Sequence, residues 1–158
     1  MMKQDASAGV QTLEQFADEL GGFVEFVAHG DHSPAMLDCA KPLRDAFARN
    51  FANSGNSETG GWPPRKPNPK DDGHPLLIDT GALQAAATGT GPGAVAQATA
   101  NELLVGVDKD VNLGGIPGAG VHNYGFENIP QREFLVPDTQ SLDECDEICA
   151  DHLIGYWQ

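Results

Sequence analysis

The residues best suited to metal chemistry lie between the first two predicted helices. His29, Asp31 and His32 place two imidazoles and a carboxylate within four residues, and Asp38 and Cys39 follow downstream. Zinc is bound by such side chains when a firm scaffold and an outer shell of hydrogen bonds orient them. Here the candidates fall in a predicted loop at no recognised ligand spacing. The pattern favours a solvated loop, and a small metal-binding hydrolase is kept as the alternative.

A second group of possible ligands lies on the predicted C-terminal helix. Cys145 and Cys149 are four residues apart on one helix face, and His152 lies on the same side. The two cysteines are interpreted as small buried hydrophobic residues, because unligated cysteine usually behaves that way. Cys39 is distant in sequence, and three cysteines are an odd number. We therefore expect free thiols in a reducing compartment.

Other enzyme signatures are weak. The run Gly89-Thr90-Gly91-Pro92-Gly93 lacks the Gly-Lys-Ser/Thr ending of a phosphate-binding loop, and Pro92 removes an amide donor, so it predicts a flexible turn. No Gly-x-Ser-x-Gly nucleophile motif occurs. His122 could titrate near neutrality and would join the hydrolase alternative, but a hydrogen-bonded histidine in a turn is favoured. We expect no catalytic residue, no metal and no cofactor.

Residues 121–125 and 129–135 form the most informative stretch. Gly125 can close a turn, Pro130 stiffens an extended segment, and Arg132 stands between Pro130 and Phe134. A guanidinium in this setting is expected to pair with a carboxylate of its own fold or to reach a neighbouring subunit. The arrangement suggests a segment held in one shape that offers a cation, which favours an assembly component over an enzyme.

Composition limits the function classes. The 158 residues predict one domain spanning residues 1–158, and the net charge of −14 argues against wrapping nucleic acid through phosphate contacts. An acidic wall could still line a DNA passage, because repulsion keeps DNA from adhering; the charge could equally serve solubility alone. No apolar run is long enough for a membrane span, and the N-terminus lacks the apolar core of a signal peptide. We expect a protein made and kept in a cytoplasm.

Hydrophobic spacing predicts the elements that would position these residues. An amphipathic helix is expected over residues 10–27, with a possible kink at Gly21-Gly22, and a second over residues 33–52 with Pro34 at its first position. The inward face of the second helix would carry its apolar residues: Leu37, Ala40, Leu43, Phe47 and Phe51.

The rest of the chain predicts loops, a hairpin and a last helix. A long mobile loop is expected over residues 53–75, basic through Arg65, Lys66 and Lys70 and anchored by Trp62. The run from Leu76 to Leu83 ends in a turn or helix start. Strands near 94–100 and 102–107 form a hairpin, residues 113–120 form a loop, and a capping box at Ser141 opens a helix over 141–154.

Residues 47–135 resemble the phage virion morphogenesis family, the tail-completion proteins of the head-to-tail neck. The resemblance rests on the order and spacing of several short pieces: Phe47 and Phe51, Gly61-Trp62, residues 77–83, Val105-Gly106, residues 121–125 and residues 129–135. It implies an α+β subunit, which we expect to be a small antiparallel sheet packed with two or three helices and long irregular loops.

The resemblance also implies a function in assembly. The chain would form a homo-oligomeric ring at the head-tail junction or tail terminus and contact neighbouring neck or tail proteins. DNA would pass through its lumen without specific binding, and no membrane, cofactor, metal or catalysis is implied. We expect the virion to be its location, after assembly in the host cytoplasm. Trp62, Tyr124, Arg132 and Phe134 are expected to fix interfaces or their supports. A non-ring adaptor that binds a partner through the basic loop is a further alternative.

Overall fold

The computed structural model describes residues 12–66, 73–108 and 118–157. Within them the chain forms six α-helices, two short antiparallel hairpins and a final 3-10 turn. The α+β class predicted from the sequence is confirmed. The elements in chain order are α1 (Leu13–His29), α2 (Ser33–Asp38), α3 (Ala40–Asn53), β1 (Gly55–Asn56), β2 (Gly60–Gly61), α4 (Ala82–Ala87), β3 (Ala94–Ala98), β4 (Leu103–Val107), α5 (Gly118–Tyr124), α6 (Thr139–Ile154) and the 3-10 turn Gly155–Trp157.

Helix α1 begins at Leu13 because Thr12 and Gln15 form a reciprocal capping box. The prediction placed its start at residue 10 and its end at residue 27, whereas the helix continues to His29 and stops at Gly30. The helix continues without a break through the two glycines at its centre. His29 therefore belongs to the last helical turn and not to the predicted loop.

The second predicted helix is divided in two at Cys39. Pro42 explains the division, since its ring nitrogen carries no hydrogen and the ring crowds the carbonyl of residue 38. Helix α2 ends at Asp38 and α3 begins at Ala40. Ala40, Phe47 and Phe51 are buried as predicted, but Leu37 is exposed.

The loop predicted over residues 53–75 contains a minimal hairpin. Asn53 is the last residue of α3, Ser54 adopts a left-handed conformation, and β1 then pairs with β2. Trp62 follows β2 and is buried, so the prediction that it anchors this region is confirmed. Residues 67–72, which include Lys70, lie outside the described residues.

The second hairpin was predicted correctly in type and position. Strands β3 and β4 pair antiparallel, from Ala94 opposite Val107 to Ala98 opposite Leu103. The turn is closed where the Thr99 amide donates to the Glu102 carbonyl at 2.8 Å. This small sheet packs against α2, α3 and α4.

A compact apolar cluster joins elements distant in sequence. Its members share near-complete burial: Phe51, Trp62, Leu83, Ala87, Ala119 and Phe134. Phe51 lies at the centre, with ring centroids 5.6 Å from Trp62 and 5.4 Å from Phe134. Contacts between α3, α4, α5 and the segment before α6 therefore fix the middle of the molecule.

Two predictions near the C-terminus were wrong. Residues 113–117 of the predicted loop lie outside the described residues, and Gly118–Gly120 form the first turn of α5. Helix α6 begins at Thr139, two residues before the predicted start, because Asp138 is its N-cap. The capping box pairs Asp138 with Ser141, so Ser141 is the inner partner and not the cap.

Candidate functional site

Residues 131–138 belong to no helix or strand, and their backbone is held mainly by side chains. We call these residues the clasped segment. Asn50 donates from Nδ2 to the carbonyls of Phe134 and Val136, at 3.2 and 2.8 Å. Asn56 donates to the Asn50 amide oxygen and to the Pro137 carbonyl, at 3.2 and 3.4 Å. Because buried carbonyls must find donors, these amides replace the partner strand that the segment lacks.

The opposite side of the clasped segment is held by Asn123. Its Oδ1 accepts from the backbone amides of Phe134 and Leu135, each at 3.0 Å. The indole nitrogen of Trp62 donates to the Glu133 carbonyl at 3.1 Å. Asn123 and Trp62 are both buried, so these bonds form where water cannot substitute for them easily.

Arg132 faces inward, contrary to the expectation that it offers a cation or pairs with a carboxylate. Only 7% of it is exposed, and its guanidinium donates to the carbonyls of Pro63 and Pro64, at 3.0 and 3.2 Å. Its amide donates to the His122 carbonyl at 2.8 Å. Burial lowers the pKa of Arg132, and Arg65 nearby lowers it further. Arg132 is therefore an internal support that ties residues 62–64 to the clasped segment.

The clasped segment ends in an ion pair that also starts α6. Arg49 donates from Nε and Nη2 to the two carboxylate oxygens of Asp138, each at 2.8 Å. This bidentate geometry is the strong form of the interaction. The bond from Arg49 holds the pKa of Asp138 at about 2, against a usual 3.8, with help from Ser141.

The other predicted interface residues separate into a core and a surface group. Phe134 is fully buried, whereas Tyr124 is 74% exposed. Phe126, two residues after Tyr124, is 59% exposed, and the left-handed Gly125 between them packs against the Gln131 backbone. An added Cβ at Gly125 would lie 2.9 Å from the Gln131 nitrogen. Tyr124 and Phe126 are thus presented outward beside the first residues of the clasped segment.

The candidate metal ligands His29, Asp31 and His32 do not converge. His29 lies 3.8 Å from Glu25 on α1, and Asp31 accepts from the amide and hydroxyl of Ser33. His32 contacts His152 instead, with Nδ1 3.1 Å from its Nε2. In the described part of the chain, no cluster of three or more His, Cys, Asp or Glu could hold a metal ion.

The contacts of His32 fix the tautomers of this pair. Its Nε2 is 3.2 Å from the Val27 carbonyl, which can only accept. Neutral His32 is therefore protonated at Nε2, and its Nδ1 accepts from Nε2 of His152. Phe26 packs against both rings, at centroid distances of 5.1 and 5.5 Å. The pair is part of the contact between α1 and α6.

The three cysteines, which the sequence separates, converge in space. The Cys39 thiol donates to the Cys145 carbonyl at 3.8 Å, and the Cys145 thiol donates to the Cys39 carbonyl at 3.7 Å. Burial, with contributions from Cys145 and Cys149, raises the pKa of Cys39 to about 12. Because the thiolate is the reactive form, Cys39 is a packing residue and a poor nucleophile.

The remaining candidates also lack a catalytic arrangement. The amides of Gly89, Thr90 and Gly91 donate to carbonyls of α4, so they cannot cradle a phosphate. His122 lies in α5, where burial and the nearby Arg132 lower its pKa. Nδ1 of His122 is buried without a hydrogen-bond partner among the described residues. Nδ1 of His122 therefore has no hydroxyl or thiol of the described residues within hydrogen-bond reach to activate.

Helix α1 presents an apolar face to solvent. Phe23 and Phe26 attach the helix to Tyr156 and Trp157, with ring centroids 5.0 to 5.6 Å apart. No α1 residue is buried. The other apolar residues share exposure above two fifths and form what we call the α1 stripe: Leu13, Phe16, Leu20, Val24 and Val27.

Sequence reasoning missed the three asparagines that hold the clasped segment. One signal was present, because Asn50 lies between Phe47 and Phe51 in α3 and is buried with them. A polar residue buried beside apolar ones must have a partner. The bonds of Asn56 and Asn123 had no such signal, since they depend on chain crossings that a linear pattern does not reveal.

No helix in the described ranges is long and apolar enough to cross a membrane. Comparisons of the chain with protein-family models, with curated protein sequences and with solved structures find no match. The likeness to the tail-completion proteins therefore rests on the sequence motifs alone.

Proposed function

We propose that this chain is a structural subunit of a tailed-phage virion, a tail-completion or neck component that forms a ring at the head-tail junction or the tail terminus. The observation that carries the proposal is that residues of the family-like motifs are also residues that fix the clasped segment. Asn123, which holds the clasped segment, and Arg132 and Phe134, which anchor it from within, belong to the motifs behind the resemblance; Asn50 and Asn56, which also hold it, do not. Motif residues that serve shape and not reaction are what an assembly component requires.

Exposed apolar side chains also support an assembly role. Large hydrophobic residues are more than two fifths exposed on α1, near the end of α5 and around the end of α6. Contiguous apolar surface on a soluble protein commonly marks a contact with another macromolecule. A ring subunit would cover such surface against its neighbours, since ring closure needs two different patches on each copy.

The acidity of the chain fits a passage for DNA. The net charge is −14, and neither α1 nor α6 contains a lysine or arginine. A lumen lined by such helices would repel phosphate groups, so DNA would move through without adhering. The hydrolase alternative gains no support, because His29, Asp31 and His32 point to different partners.

Gene deletion with complementation tests the proposed function. Cells producing particles without this chain should accumulate heads and tails that stay apart, or tails that remain unfinished, in electron micrographs. Complementation with a Tyr124→Ala chain should give fewer joined particles while the purified variant keeps the wild-type unfolding temperature, because Tyr124 is exposed. Normal infectious particles from the deletion strain would contradict the proposal.

Arg132→Ala serves as the contrasting variant. Because Arg132 is buried and bonds to Pro63 and Pro64, its removal should lower the unfolding temperature as well as particle yield. A Tyr124→Ala chain that loses joined particles while staying folded separates a contact defect from a folding defect. An adaptor acting outside a ring would instead give joined particles that lack the chain.

A further inference from the structure

We propose that Cys39 and Cys145 form a latent disulfide, a pair of thiols that a small-molecule disulfide such as oxidised glutathione joins across the contact between α3 and α6. In the structure described above all three cysteines are free thiols. The oxidised form would tie the junction of α2 and α3 covalently to α6. Such a bond depends on thiol chemistry alone and not on the proposed function.

The contact between Cys39 and Cys145 is reciprocal. The Cys39 thiol lies 3.8 Å from the Cys145 carbonyl oxygen, and the Cys145 thiol lies 3.7 Å from the Cys39 carbonyl oxygen. Each side chain therefore reaches the backbone of the other residue. A disulfide needs Cα atoms about 4.4 to 6.8 Å apart. Backbones in contact through a side chain as short as cysteine lie near this range, so rotation of both thiols away from the carbonyls brings the sulfur atoms together.

The backbone around Cys39 is held in place on both sides. Its amide donates to the Ala35 carbonyl at 3.2 Å, and its carbonyl accepts from the Leu43 amide at 3.4 Å. Helix α6 packs against both α2 and α3, the two helices that meet at Cys39. Bond formation therefore needs movement of two short side chains and no rearrangement of helices.

Cys149 is the competing partner for either thiol. It follows Cys145 by one turn of α6, and the Cys39 thiol lies within interaction range of both. Among the described residues, reciprocal contacts of thiol with carbonyl join Cys39 to Cys145 and not to Cys149. A bond between Cys145 and Cys149 is disfavoured, because residues four apart on a helix have Cβ atoms about 5 to 6 Å apart and a disulfide needs about 3.5 to 4.5 Å.

Exposure assigns the order of the two exchange steps. Cys39 is only 4% exposed, whereas Cys145 is partly exposed. The Cys145 thiolate attacks one sulfur of oxidised glutathione, the disulfide bond of that molecule breaks, and one glutathione thiolate leaves. The Cys39 thiol then loses its proton, and its sulfur attacks Sγ of Cys145 and releases the second glutathione. The protein loses two electrons and two protons, and the glutathione disulfide is reduced to two thiols.

The reduced pair should persist until an oxidant is supplied. Burial raises the pKa of Cys145 and raises the pKa of Cys39 to about 12. Because the thiolate is the attacking form, exchange is slow at neutral pH. In a cytoplasm whose glutathione is mostly reduced, the exchange also runs backward, so the thiols stay free there.

The disulfide would stabilise the protein through its unfolded state. Cys39 and Cys145 are 106 positions apart, so their bond would close a long loop. Closing a long loop removes more conformational entropy from the unfolded chain than closing a short one. We expect the unfolding temperature of the oxidised chain to exceed that of the reduced chain by on the order of 10 °C.

Oxidation of the folded full chain tests the pairing. The reduced protein is incubated with oxidised glutathione, the remaining thiols are alkylated, and masses are measured before and after proteolysis. We expect a chain that has lost two hydrogen atoms, carries its alkyl group on Cys149 and yields a cross-linked peptide pair containing Cys39 and Cys145. The same oxidation in urea is the control, because an unfolded chain does not favour cysteines 106 positions apart.

Alanine variants separate the three cysteines. Cys39→Ala and Cys145→Ala should form no internal disulfide, and oxidised glutathione should not raise their unfolding temperatures. Cys149→Ala is the matched control one turn along α6, and it should oxidise and gain stability as the wild type does. Alanine is suitable because an unligated cysteine behaves as a small hydrophobic residue, so each reduced variant should fold as judged by circular dichroism.

The pairing has several outcomes that would overturn it. These are a bond between Cys39 and Cys149, a bond between two chains, glutathione adducts without an internal bond, and thiols that stay free in the folded chain. An unfolding temperature that oxidation leaves unchanged would overturn the stabilising role. All of these outcomes concern the thiols, so the deletion experiment still tests the proposed function separately.

Discussion

At the residue scale, the fold depends on amide side chains that act where a strand would otherwise pair. Asn50 and Asn56 supply donors to the carbonyls of the clasped segment, and Asn123 supplies the acceptor for two of its amides. An amide group can serve either kind of backbone atom, which a hydroxyl or a carboxylate does less completely. The segment is consequently fixed without belonging to a sheet.

Replacing Asn123 by alanine should destabilise the protein strongly. The backbone amides of Phe134 and Leu135 would lose their acceptor inside the molecule, and each unsatisfied buried amide costs about 1 to 3 kcal/mol. We expect the free energy of unfolding, measured in urea, to fall by about 2 to 4 kcal/mol. Asn128→Ala, at an exposed position nearby, is the control and should change it little. Similar effects of the two substitutions would contradict the role assigned to Asn123.

The ion pair between Arg49 and Asp138 predicts a loss of stability in acid. The pKa of Asp138 is about 2 in the folded chain and near its usual 3.8 when unfolded, so the unfolded state binds protons first. The contribution is complete above pH 3.8 and disappears as the pH falls through 2. It amounts to about 2 kcal/mol.

Asp138→Asn isolates that contribution, because asparagine still caps a helix but carries no charge. The variant should be less stable than the wild type at neutral pH. The difference between the two free energies of unfolding should shrink as the pH falls below 3.8. A difference that does not change with pH would mean that the charge of Asp138 adds nothing.

Residue types alone predicted the burial of Trp62 and the structural importance of its surroundings. They did not predict that the Arg132 side chain faces inward, since an acidic chain offers a guanidinium many carboxylate acceptors. The carbonyls of Pro63 and Pro64 become its partners only because the chain crosses there. The convergence of Cys39 and Cys145 likewise depends on how α3 packs against α6.

At the element scale, α1 is held to the rest of the described chain by a few aromatic contacts. Phe26 stacks on Tyr156 at 5.0 Å, and Phe23 packs against Trp157 at the same centroid distance. A helix with no buried residue and few packed contacts is expected to open more readily than the core.

Substitutions at two adjacent glycines test how α1 packs against Tyr156. Alanine is favoured over glycine in a helix interior by about 1 kcal/mol, so each substitution should strengthen the helix itself. A Cβ at Gly21 meets nothing within 4 Å, whereas a Cβ at Gly22 meets the hydroxyl of Tyr156. Gly21→Ala should therefore increase hydrogen-exchange protection of α1. Gly22→Ala should increase it less, because the Tyr156 ring must move; equal protection would mean that α1 does not pack there.

Elements with a clear period were predicted well, and those set by single bonds were not. The short apolar runs of β3 and β4 and the helical spacing in α3 and α6 identified these elements. The two-residue strands β1 and β2 have no period to detect, and Gly55 and Gly60 disfavour a strand by propensity. Helix α6 begins before the predicted residue because Asp138, and not Ser141, is its N-cap.

At the scale of the whole molecule, charge and exposed apolar surface are distributed unevenly. In the described ranges, lysine and arginine occur between residues 41 and 66 and at Arg132, while α1 and α6 carry carboxylates. Length predicted a single domain, and composition gave the overall acidity. Which apolar face meets solvent could not be predicted, because the five residues of the α1 stripe have the helical spacing that usually marks a buried face, whereas the chain packs through Phe23 and Phe26.

The location of the chain in purified particles tests the central claim most directly. We propose that it is an assembly subunit, so cryo-electron microscopy of complete particles should show several copies arranged around the particle axis at the neck or tail end. Density into which residues 12–66, 73–108 and 118–157 fit as a repeated unit would agree with the account. Particles that are complete and infectious but contain no copy of the chain would contradict it.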